Sequence, residues 1–401
     1  MRPVDIVKGR SALPVLDLAD AAFWADPHAV LAATLAIGPV ARGPGGSLMI
    51  LGYREVQQVL RDPALGTVDL LARVGIVDGP LSTWWQRVMF SNDPPAHTRL
   101  RRLVSHAFTP RRIAALEPVV AAITARVLDE LPVGGPIDLV ASFAHRVPIQ
   151  VMGHILAIPP ADQPVFAEWT SELGLVFAPV MTPALRTRLE TTIVALDAYV
   201  SALIEERRAQ PGDDLLSALI TAEEDGDRLS RDELVALVAN LLFAGHDTTR
   251  SLLSIGPVVL LDHPEQLRLL RADPSRWPAA VDEILRYEPP VLGTARRTLA
   301  SLDIGDLHIP AGEELSTNLL AANRDPRAFV EPHRFDIGRG GAPIASFGAG
   351  VHYCLGAALA RLEGRVALGA LFERHPQLAL VERPQWVPYA SIRRFPSVFV
   401  S

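Results

Sequence analysis

The sequence is poor in cysteine: its 401 residues include one, Cys354. A single cysteine excludes an intrachain disulfide and is typical of a protein that works in the reducing cytoplasm. It also excludes iron–sulfur clusters and cysteine-rich zinc sites, which need several cysteine or histidine ligands at short spacing. Any metal chemistry of this thiol therefore requires a site that one thiolate can serve.

Basic charge and long apolar runs are scarce as well. The net charge of −7 argues against nucleic acid as a main partner. No stretch approaches the ~20 apolar residues of a membrane span, and the first residues lack the apolar run of a signal peptide. Repeats, low-complexity linkers and composition breaks are also missing. We therefore expect one continuous cytoplasmic domain over residues 1–401, with an irregular N-terminal arm over residues 1–18.

What the sequence does contain is a glycine-rich stretch around its cysteine, from Phe347 to Gly356. An apolar-periodic helix is predicted directly after it, from Ala357 to about Glu373. A cysteine at the start of a helix lies near the unpaired N–H groups of the first turn, which lower the pKa of a thiol and favour the metal-binding thiolate. One thiolate is sufficient as the lone axial ligand of a haem iron.

Small residues in the stretch fit that use. Gly348, Gly350 and Gly356 allow the backbone to approach a flat macrocycle and tolerate the φ > 0 turns of such a loop. Phe347 can shield one side of the sulfur. The other interpretation of a lone thiol is a buried structural cysteine, which behaves as a small hydrophobe.

The stretch also matches, at every specified position, the haem-binding pattern FGxGxHxCLG of bacterial cytochromes P-450. The sequence therefore resembles the cytochrome P-450 family, in its soluble bacterial form. The resemblance implies a mainly α fold with small β-sheets in a single large domain. It also implies haem b between a long buried helix and the helix that follows the cysteine loop. Haem contacts are implied for residues of this loop: Phe347, Gly348, Gly356 and, through a propionate, His352.

The most apolar predicted helix runs from a capping box, at Ser230 and Glu233, to about Leu261. Inside it lies the segment Ala244–Thr249, with the sequence AGHDTT. A glycine, an acid and two threonines are costly inside a buried helix, and Gly245 would leave room for a ligand. The alternative interpretation is a helix kink with locally satisfied polar groups.

This segment matches the family pattern (A/G)Gx(D/E)TT residue for residue. The resemblance implies an oxygen-activation groove at Ala244 and Gly245, with Thr248 stabilising the activated oxygen and Asp247 supplying protons. His246 varies within the family, and we assign it no chemical role from the sequence.

Cationic side chains are expected to bind the haem propionates. His97 and Arg101 lie four residues apart, on one face of a predicted helix, and the segment DPPAHTR resembles the propionate-binding segment of the family. A solvated basic helix is the alternative. The family's spacing implies a further propionate-binding arginine, for which Arg296 is our choice and Arg297 the competitor.

Three residues resemble a structural triad of the family. Glu283 and Arg286 form an ExxR motif, and Arg334 belongs to the segment PHRF, which matches PxRF. The resemblance implies that Arg334 joins the Glu283–Arg286 pair, and that the three hold the core beside the haem loop without taking part in catalysis.

A mainly apolar substrate pocket is expected, which implies a hydrophobic organic substrate. We interpret the segment from Asp62 to Asp93 as a long irregular loop over this pocket. The predicted substrate-binding residues are Trp84, Trp85, Phe90, Leu241, Ala244, Leu292, Gly293 and Ile392. In the alternative interpretation, the aromatic residues of the loop fill the core.

The activity implied by the resemblance is monooxygenation. The chain shows no flavin or ferredoxin extension, so electrons are expected from NAD(P)H through a separate ferredoxin and ferredoxin reductase, and the enzyme itself is expected to be a monomer. Basic residues that could dock an acidic ferredoxin are Arg99, Arg102, Arg361 and Arg365.

Three other functions stay open for a haem-thiolate protein: a peroxide-driven peroxygenase, a nitric oxide reductase, and a non-enzymatic haem ligand carrier or sensor. The intact Asp247–Thr248 pair argues against the peroxygenase and against the carrier.

Overall fold

The computed structural model describes residues 12–105, 108–132, 134–178, 180–224, 227–388 and 392–401. Most of the predicted N-terminal arm, residues 1–11, lies outside this part of the chain. Helices predominate among the described residues, and the strands are short, as the family resemblance implied.

The α-helices are, in chain order, α1 (Ala21–Ala25), α2 (Pro27–Ile37), α3 (Tyr53–Arg61), α4 (Leu70–Arg73), α5 (Gly79–Arg87), α6 (Ala96–Ser105), α7 (Pro110–Ala115), α8 (Glu117–Asp129), α9 (Arg146–Ile155), α10 (Gln163–Leu173), α11 (Pro183–Ala209), α12 (Leu215–Ile220), α13 (Arg231–Asp262), α14 (Pro264–Ala272), α15 (Trp277–Tyr287), α16 (Leu319–Ala322) and α17 (Ala357–Arg374). The strands are β1 (Val40–Arg42), β2 (Leu48–Ile50), β3 (Leu65–Gly66), β4 (Ile137–Asp138), β5 (Glu223–Glu224), β6 (Asp227–Arg228), β7 (Gly293–Thr298), β8 (Leu302–Ile304), β9 (Leu307–Ile309), β10 (Glu314–Asn318) and β11 (Phe399–Val400).

Local sequence explains where the main helices begin. The Asp26 carboxylate accepts a hydrogen bond from the N–H of Ala29 at 3.0 Å, and Pro27 is the first residue of α2. The predicted capping box of α13 is confirmed: Ser230 and Glu233 each accept a hydrogen bond from the other's backbone N–H.

One unit of the chain consists of the residues up to Val68, with Ala279–Cys354 and Val387–Arg393. Its sheet has the order β1-β2-β10-β7-β3, in which β10 is parallel to β2 and the other neighbours are antiparallel. Leu48 of β2 packs in one apolar cluster and its neighbour Met49 in another. Both faces of β2 are therefore covered, which explains why the whole strand is apolar.

The second unit consists of Asp69–Pro278, Leu355–Trp386 and Arg394–Ser401. Helix α13 is buried along most of its length and packs against α9, α10, α11 and α17, while α17 also packs against α8. Pro257 lies inside α13 without ending it. The expectation of one domain over residues 1–401 stays a prediction.

The interpretation of the segment from Asp62 to Asp93 as a long irregular loop is wrong. It contains α4 and α5, and β3 pairs with β7. The Asp69 carboxylate accepts hydrogen bonds from the N–H groups of Leu71 and Ala72 at 3.1 Å, which caps the first turn of α4. These helices are too short to produce a clear apolar period, so only their caps mark them in the sequence.

Glu288 is the centre of a buried ion cluster in the first unit. His28 lies 2.7 Å from its carboxylate and Arg324 3.3 Å, and Arg393 contacts the second oxygen. Burial would raise the pKa of Glu288, but the charge of Arg393 and the hydrogen bond from His28 outweigh burial and lower it to about 2. Because Arg393 follows Ile392 directly, the cluster anchors the segment that carries this predicted substrate residue.

We expect Glu288 to stabilise the fold at neutral pH and to lose this effect in acid. Its folded pKa lies below the unfolded value of 4.5, so its contribution is complete above that value and is lost as the pH falls towards about 2. Glu288→Gln should therefore remove roughly 3 kcal/mol near neutral pH and flatten the pH dependence of the free energy of unfolding between about pH 5 and pH 3. Urea unfolding at several pH values measures both effects, and an unchanged slope in the variant would contradict the assignment.

Candidate active site

The cysteine loop presents its sulfur instead of burying it. Cys354 lies between a 3₁₀ turn, Gly350–His352, and Gly356, the N-cap residue of α17. Its backbone N–H donates to the carbonyl of Phe347 at 2.9 Å, which closes the loop on itself. The Cys354 side chain is exposed. The interpretation as a buried structural cysteine is therefore wrong.

Two of the three glycines in the loop have the predicted backbone. Gly348 and Gly350 have φ values of 69° and 67°, in the region that favours glycine. Gly350 also lies against α3, because a Cβ there would be 2.2 Å from the carbonyl oxygen of Leu60. The expected positive φ is wrong for Gly356, whose φ is −83°, while its predicted contact with the haem stays a prediction.

Gly350→Ala is expected to destabilise the first unit more than Gly348→Ala. Both alanines must adopt positive φ, at about 1–3 kcal/mol each. Only the alanine at 350 collides with backbone, which should add about 1–3 kcal/mol. Urea unfolding of the haem-loaded proteins gives the difference. Equal free energies of unfolding for the two variants would show that the contact with Leu60 has no such role.

One short face of α13 is open, although most of the helix is buried. Ala244 is exposed, and Gly245 and Thr248 are partly exposed. The Thr248 hydroxyl donates to the carbonyl of Ala244 at 2.7 Å, four residues earlier. This hydroxyl is satisfied within its own helix, as the alternative of a kinked helix with locally satisfied polar groups requires. That alternative does not explain why Ala244 is exposed.

Gly245 does not leave room for a ligand, contrary to the prediction. A Cβ at this position would lie 2.8 Å from the Sδ atom of Met152, a residue of α9. The missing side chain therefore allows α9 to approach α13, and Met152 fills the space.

Asp247 is buried, and Nδ1 of the neighbouring His246 lies 3.5 Å from its Oδ1 atom. Neither carboxylate oxygen has a hydrogen-bond partner among the residues that the structure describes. The nearest cationic atom is Nη1 of Arg250, 3.9 Å from Oδ1. A side chain at Gly174 would come within 2.7 Å of Oδ2, so this glycine, which the sequence analysis missed, makes room for the carboxylate.

The predicted propionate-binding residues occupy elements of both units. In the second unit, His97 is buried in α6 and Arg101 is partly exposed on the same helix. In the first unit, Arg296 is buried in β7 and donates at 2.8 Å to the Thr294 hydroxyl and to the Ala295 carbonyl. Arg297 points to the opposite, exposed side of β7. The strand alternation therefore favours Arg296 over its competitor. His352, in the cysteine loop, is partly exposed.

Glu283 and Arg286 form a buried ion pair, with Nε–Oε2 and Nη2–Oε1 distances of 2.7 and 2.8 Å. The prediction that Arg334 joins them with its side chain is wrong. The Arg334 guanidinium is exposed and pairs with Glu331, and only its backbone carbonyl accepts from Arg286. The arginine that reaches the Glu283 carboxylate is Arg339, at 3.1 Å.

Aromatic rings of the second unit form a continuous cluster. Trp85 contacts Phe90 and Phe177 with ring centroids 5.4 and 6.0 Å apart, and Phe177 stacks on Phe243 of α13 at 5.7 Å. Trp84 is buried beside Trp85. The cluster ends at Phe243, next to Ala244. The same aromatic rings therefore fit both the predicted substrate pocket and the alternative in which they fill the core.

The remaining predicted substrate residues have identifiable positions. Leu241 is buried in α13. In the first unit, Ile392 forms a β-bridge with Val291, and Leu292 is partly exposed. Gly293 is required by the sheet itself, because a Cβ there would lie 1.9 Å from the carbonyl oxygen of Thr317 in β10.

Two of the four candidate docking arginines have their charge neutralised within the protein. Arg99 pairs with Asp227 at 2.7 Å and with Glu233 at 2.6 Å. Arg365 forms a double hydrogen bond with Glu117 of α8. These ion pairs offset their charge, and their role in docking a ferredoxin stays a prediction. Arg102 is exposed and Arg361 is partly exposed.

The sequence analysis also missed Glu363, a fully buried acid of α17. Burial raises the pKa of its carboxyl well above the ordinary value. Its Oε2 atom has no hydrogen-bond partner among the described residues. The sequence did contain a signal for this residue: an acid at a position where the helix after the cysteine should carry an apolar side chain.

Comparisons with known proteins agree on one family. The cytochrome P-450 family model matches residues 164–275 and 277–379. The chain is 40% identical over 368 residues to 6-deoxyerythronolide B hydroxylase of Saccharopolyspora erythraea, covering 89% of this chain and 90% of that protein. It is 40% identical over 374 residues to vitamin D(3) 25-hydroxylase of Pseudonocardia autotrophica, covering 91% and 90%. The crystal structure of CalO2 matches with a TM-score of 0.91 at 31% identity, covering 96% of this chain and 98% of that one.

A mainly helical fold with an exposed thiol on a glycine-rich loop defines a haem-thiolate enzyme. The chain belongs to the cytochrome P-450 family, and it is a monooxygenase whose cofactor is haem b. The residues present fit this cofactor. The Cys354 sulfur is exposed on its loop, as a thiolate that binds iron requires.

Proposed function

We propose that this monooxygenase hydroxylates a C–H bond of an apolar organic molecule, with O₂ and with electrons from a ferredoxin. The observation that carries the proposal is the open face of α13, where Ala244 is exposed and Thr248 places a hydroxyl at 2.7 Å from the carbonyl of Ala244. The Thr248 hydroxyl, beside the exposed turn at Ala244, can hold a proton where oxygen is reduced.

Haem b would be held by a thiolate and by cations. The Cys354 thiolate would bind the iron, and the candidates to bind the propionates are His97, Arg101, Arg296 and His352. Bound haem supplies the activation of O₂ and the oxidation of the substrate.

The protein's own part in the reaction is to deliver protons and to exclude water. Thr248 holds a proton at the groove, and Asp247, the next residue inward, restores that proton after each transfer. The overall reaction consumes O₂, two electrons and two protons, and it forms the hydroxylated product and water. Asp247 is buried, which limits the access of bulk water to its carboxylate.

An apolar substrate is supported by the aromatic cluster of Trp85, Phe90, Phe177 and Phe243, which ends beside Ala244. A cleft of about 340 Å³ in the same unit has a mainly apolar floor that includes Trp84, Leu196 and Val235. The names of the two relatives also support hydroxylation of a large organic molecule. Leu241, Leu292 and Ile392 are proposed to complete the substrate contacts.

The proposal is tested with purified protein, a ferredoxin, its reductase and NAD(P)H. A panel of apolar compounds is screened for the shift of the haem absorption band, and each binder is then assayed for O₂ uptake matched by product. We expect product with the electron-transfer partners and far less with hydrogen peroxide alone. Equal product from peroxide alone would favour a peroxygenase and contradict the role of the ferredoxin.

Arg102, which is exposed, and Arg361, which is partly exposed, are proposed to contribute positive charge to the docking of the ferredoxin. Replacing both docking residues by glutamate should slow reduction by ferredoxin about tenfold or more, and the loss should shrink at high salt. Arg383→Glu, at an exposed position paired with Asp262, is the control. Stopped-flow reduction gives the rates. A rate equal to that of the control would exclude this docking surface.

We also propose that the enzyme acts in the cytoplasm. In the part of the chain that the structure describes, every helix is too short or too polar to cross a membrane. The single cysteine agrees with a reducing compartment.

A further inference from the structure

His246 is fully buried in α13, and its surroundings leave its polar atoms unsatisfied. Neither ring nitrogen has a hydrogen-bond partner among the described residues, and the same holds for both oxygens of the adjacent Asp247. Buried polar atoms are nearly always satisfied by protein groups or by ordered water. Four such atoms on two neighbouring residues therefore indicate a polar site inside the second unit.

This site extends towards the surface through His145. The rings of His145 and His246 meet edge to face, with centroids 4.9 Å apart and an interplanar angle of 80°. His145 is partly exposed. It follows a π-helical turn, Val140–Ala144, and such wide turns change the direction of the side chains after them.

On its other side, His246 reaches the proposed proton donor. Its Nδ1 atom lies 3.5 Å from Oδ1 of Asp247. This distance is longer than an ordinary hydrogen bond, and the two atoms belong to side chains of adjacent residues. The three residues therefore form a line from a partly exposed ring, through a fully buried ring, to a buried carboxyl.

Burial, helped by two neighbouring groups, favours the neutral form of the entry residue His145. Burial lowers the pKa of His145 to about 4, and His246 and Arg250 lower it as well, while Asp247 opposes them. A neutral imidazole donates from one nitrogen and accepts at the other, which is what a relay requires. The other charged groups that act on Arg250 beside Asp247 are Arg394 and Asp138.

We propose that His145 and His246 form a proton relay into Asp247. A proton enters at a ring nitrogen of His145 and passes, through an ordered water, to His246. His246 accepts it at one nitrogen and releases the proton of the other to Oδ1 of Asp247. Each transfer moves one proton and no electrons, and the ring of His246 resets by exchange before the next passage. The inference rests on the proposed role of Asp247 in supplying Thr248.

The first test uses His246→Leu and His246→Gln. Glutamine retains hydrogen-bonding groups but cannot accept and release a proton, so both variants should lose product formation about tenfold or more. The solvent deuterium isotope effect on turnover should rise, and more of the electrons should leave as hydrogen peroxide. Substrate binding, measured by the shift of the haem band, should stay unchanged. His154→Gln, at an exposed histidine of α9, should match the parent enzyme.

A second test needs no turnover. In the diamagnetic ferrous carbon monoxide form, ¹⁵N NMR of labelled histidine should show the proton of His246 exchanging between its two ring nitrogens. His145→Leu should slow this exchange, because it removes the entry residue. An unchanged exchange rate in His145→Leu would overturn the proposed entry path.

The results separate the relay from the function on which it rests. If Asp247→Asn reduces product formation and both His246 variants behave like the parent, the relay is wrong and the role of Asp247 stands. If Asp247→Asn has no effect, the proposed function of the acid is wrong. A purely structural role of His246 would lower stability in both variants and leave the isotope effect unchanged, which would also overturn the relay.

Discussion

Arg286→Leu is expected to destabilise the protein by about 3–5 kcal/mol, because it removes one partner of a buried ion pair. Arg286 is 1% exposed. Besides Glu283, its guanidinium donates to the carbonyls of Asn323, Pro332 and Arg334 at 2.8, 2.9 and 3.1 Å. Leucine at position 286 would leave these three carbonyl acceptors buried without their donor. Among the described residues, Glu283 would then keep Arg339 as its remaining cationic partner.

Arg334→Leu is the matched control for this experiment. Its side chain is 57% exposed and pairs with the exposed Glu331, so its removal should change the free energy of unfolding by less than about 1 kcal/mol. Urea unfolding of the two variants beside the parent gives both values. If the two variants were equally stable, Arg286 would not be the organising residue of this region.

Cys354→Ser is expected to abolish monooxygenation, with a fall in product per bound haem of more than about a thousandfold, or roughly 4 kcal/mol. A serine hydroxyl stays protonated at neutral pH and cannot donate electron density to the iron as a thiolate does. The exposure of the Cys354 side chain indicates that the exchange leaves the packing of the loop intact. Product formation and haem content are measured on the same preparation.

Val351→Ala is the control for the cysteine variant. Val351 lies in the same loop, and its side chain is 54% exposed, so its truncation should leave turnover and haem content near those of the parent. Retention of turnover by Cys354→Ser, or an equal loss in Val351→Ala, would mean that the sulfur has no special role.

The sequence predicted best where local chemistry determines the structure. The capping box of α13 and the positive φ values at Gly348 and Gly350 each depend on a few neighbouring residues. Cys354 and the AGHDTT segment were recognised because the order and spacing of their residues along the chain match the family patterns. The resemblance then supplied the fold class, which a period of apolar residues cannot supply alone.

The errors concern choices that depend on the path of the chain in space. Arg334 and Arg339 lie five residues apart, and nothing local decides which side chain turns towards Glu283. Glu331 adopts a φ of 46°, an uncommon value that helps to direct the segment between them. Likewise, Gly245 was interpreted as room for a ligand, but only the packing of α9 shows that Met152 uses the space.

The ion pairs of Arg99 and Arg365 were unpredictable for a similar reason. Their partners Asp227 and Glu117 lie far away in sequence, on elements brought close only by tertiary packing. The relay from His145 to Asp247 has the same origin, since the two histidines are separated by much of the second unit's sequence.

The absorption spectrum of the reduced protein with carbon monoxide tests the central claim most directly. If the Cys354 thiolate is the axial ligand of the haem iron, the purified protein is coloured and its ferrous carbon monoxide complex has the red-shifted Soret band typical of sulfur ligation. The Cys354→Ser variant should lose this band. A parent protein without haem, or with a Soret band at the position given by nitrogen ligation, would contradict the account.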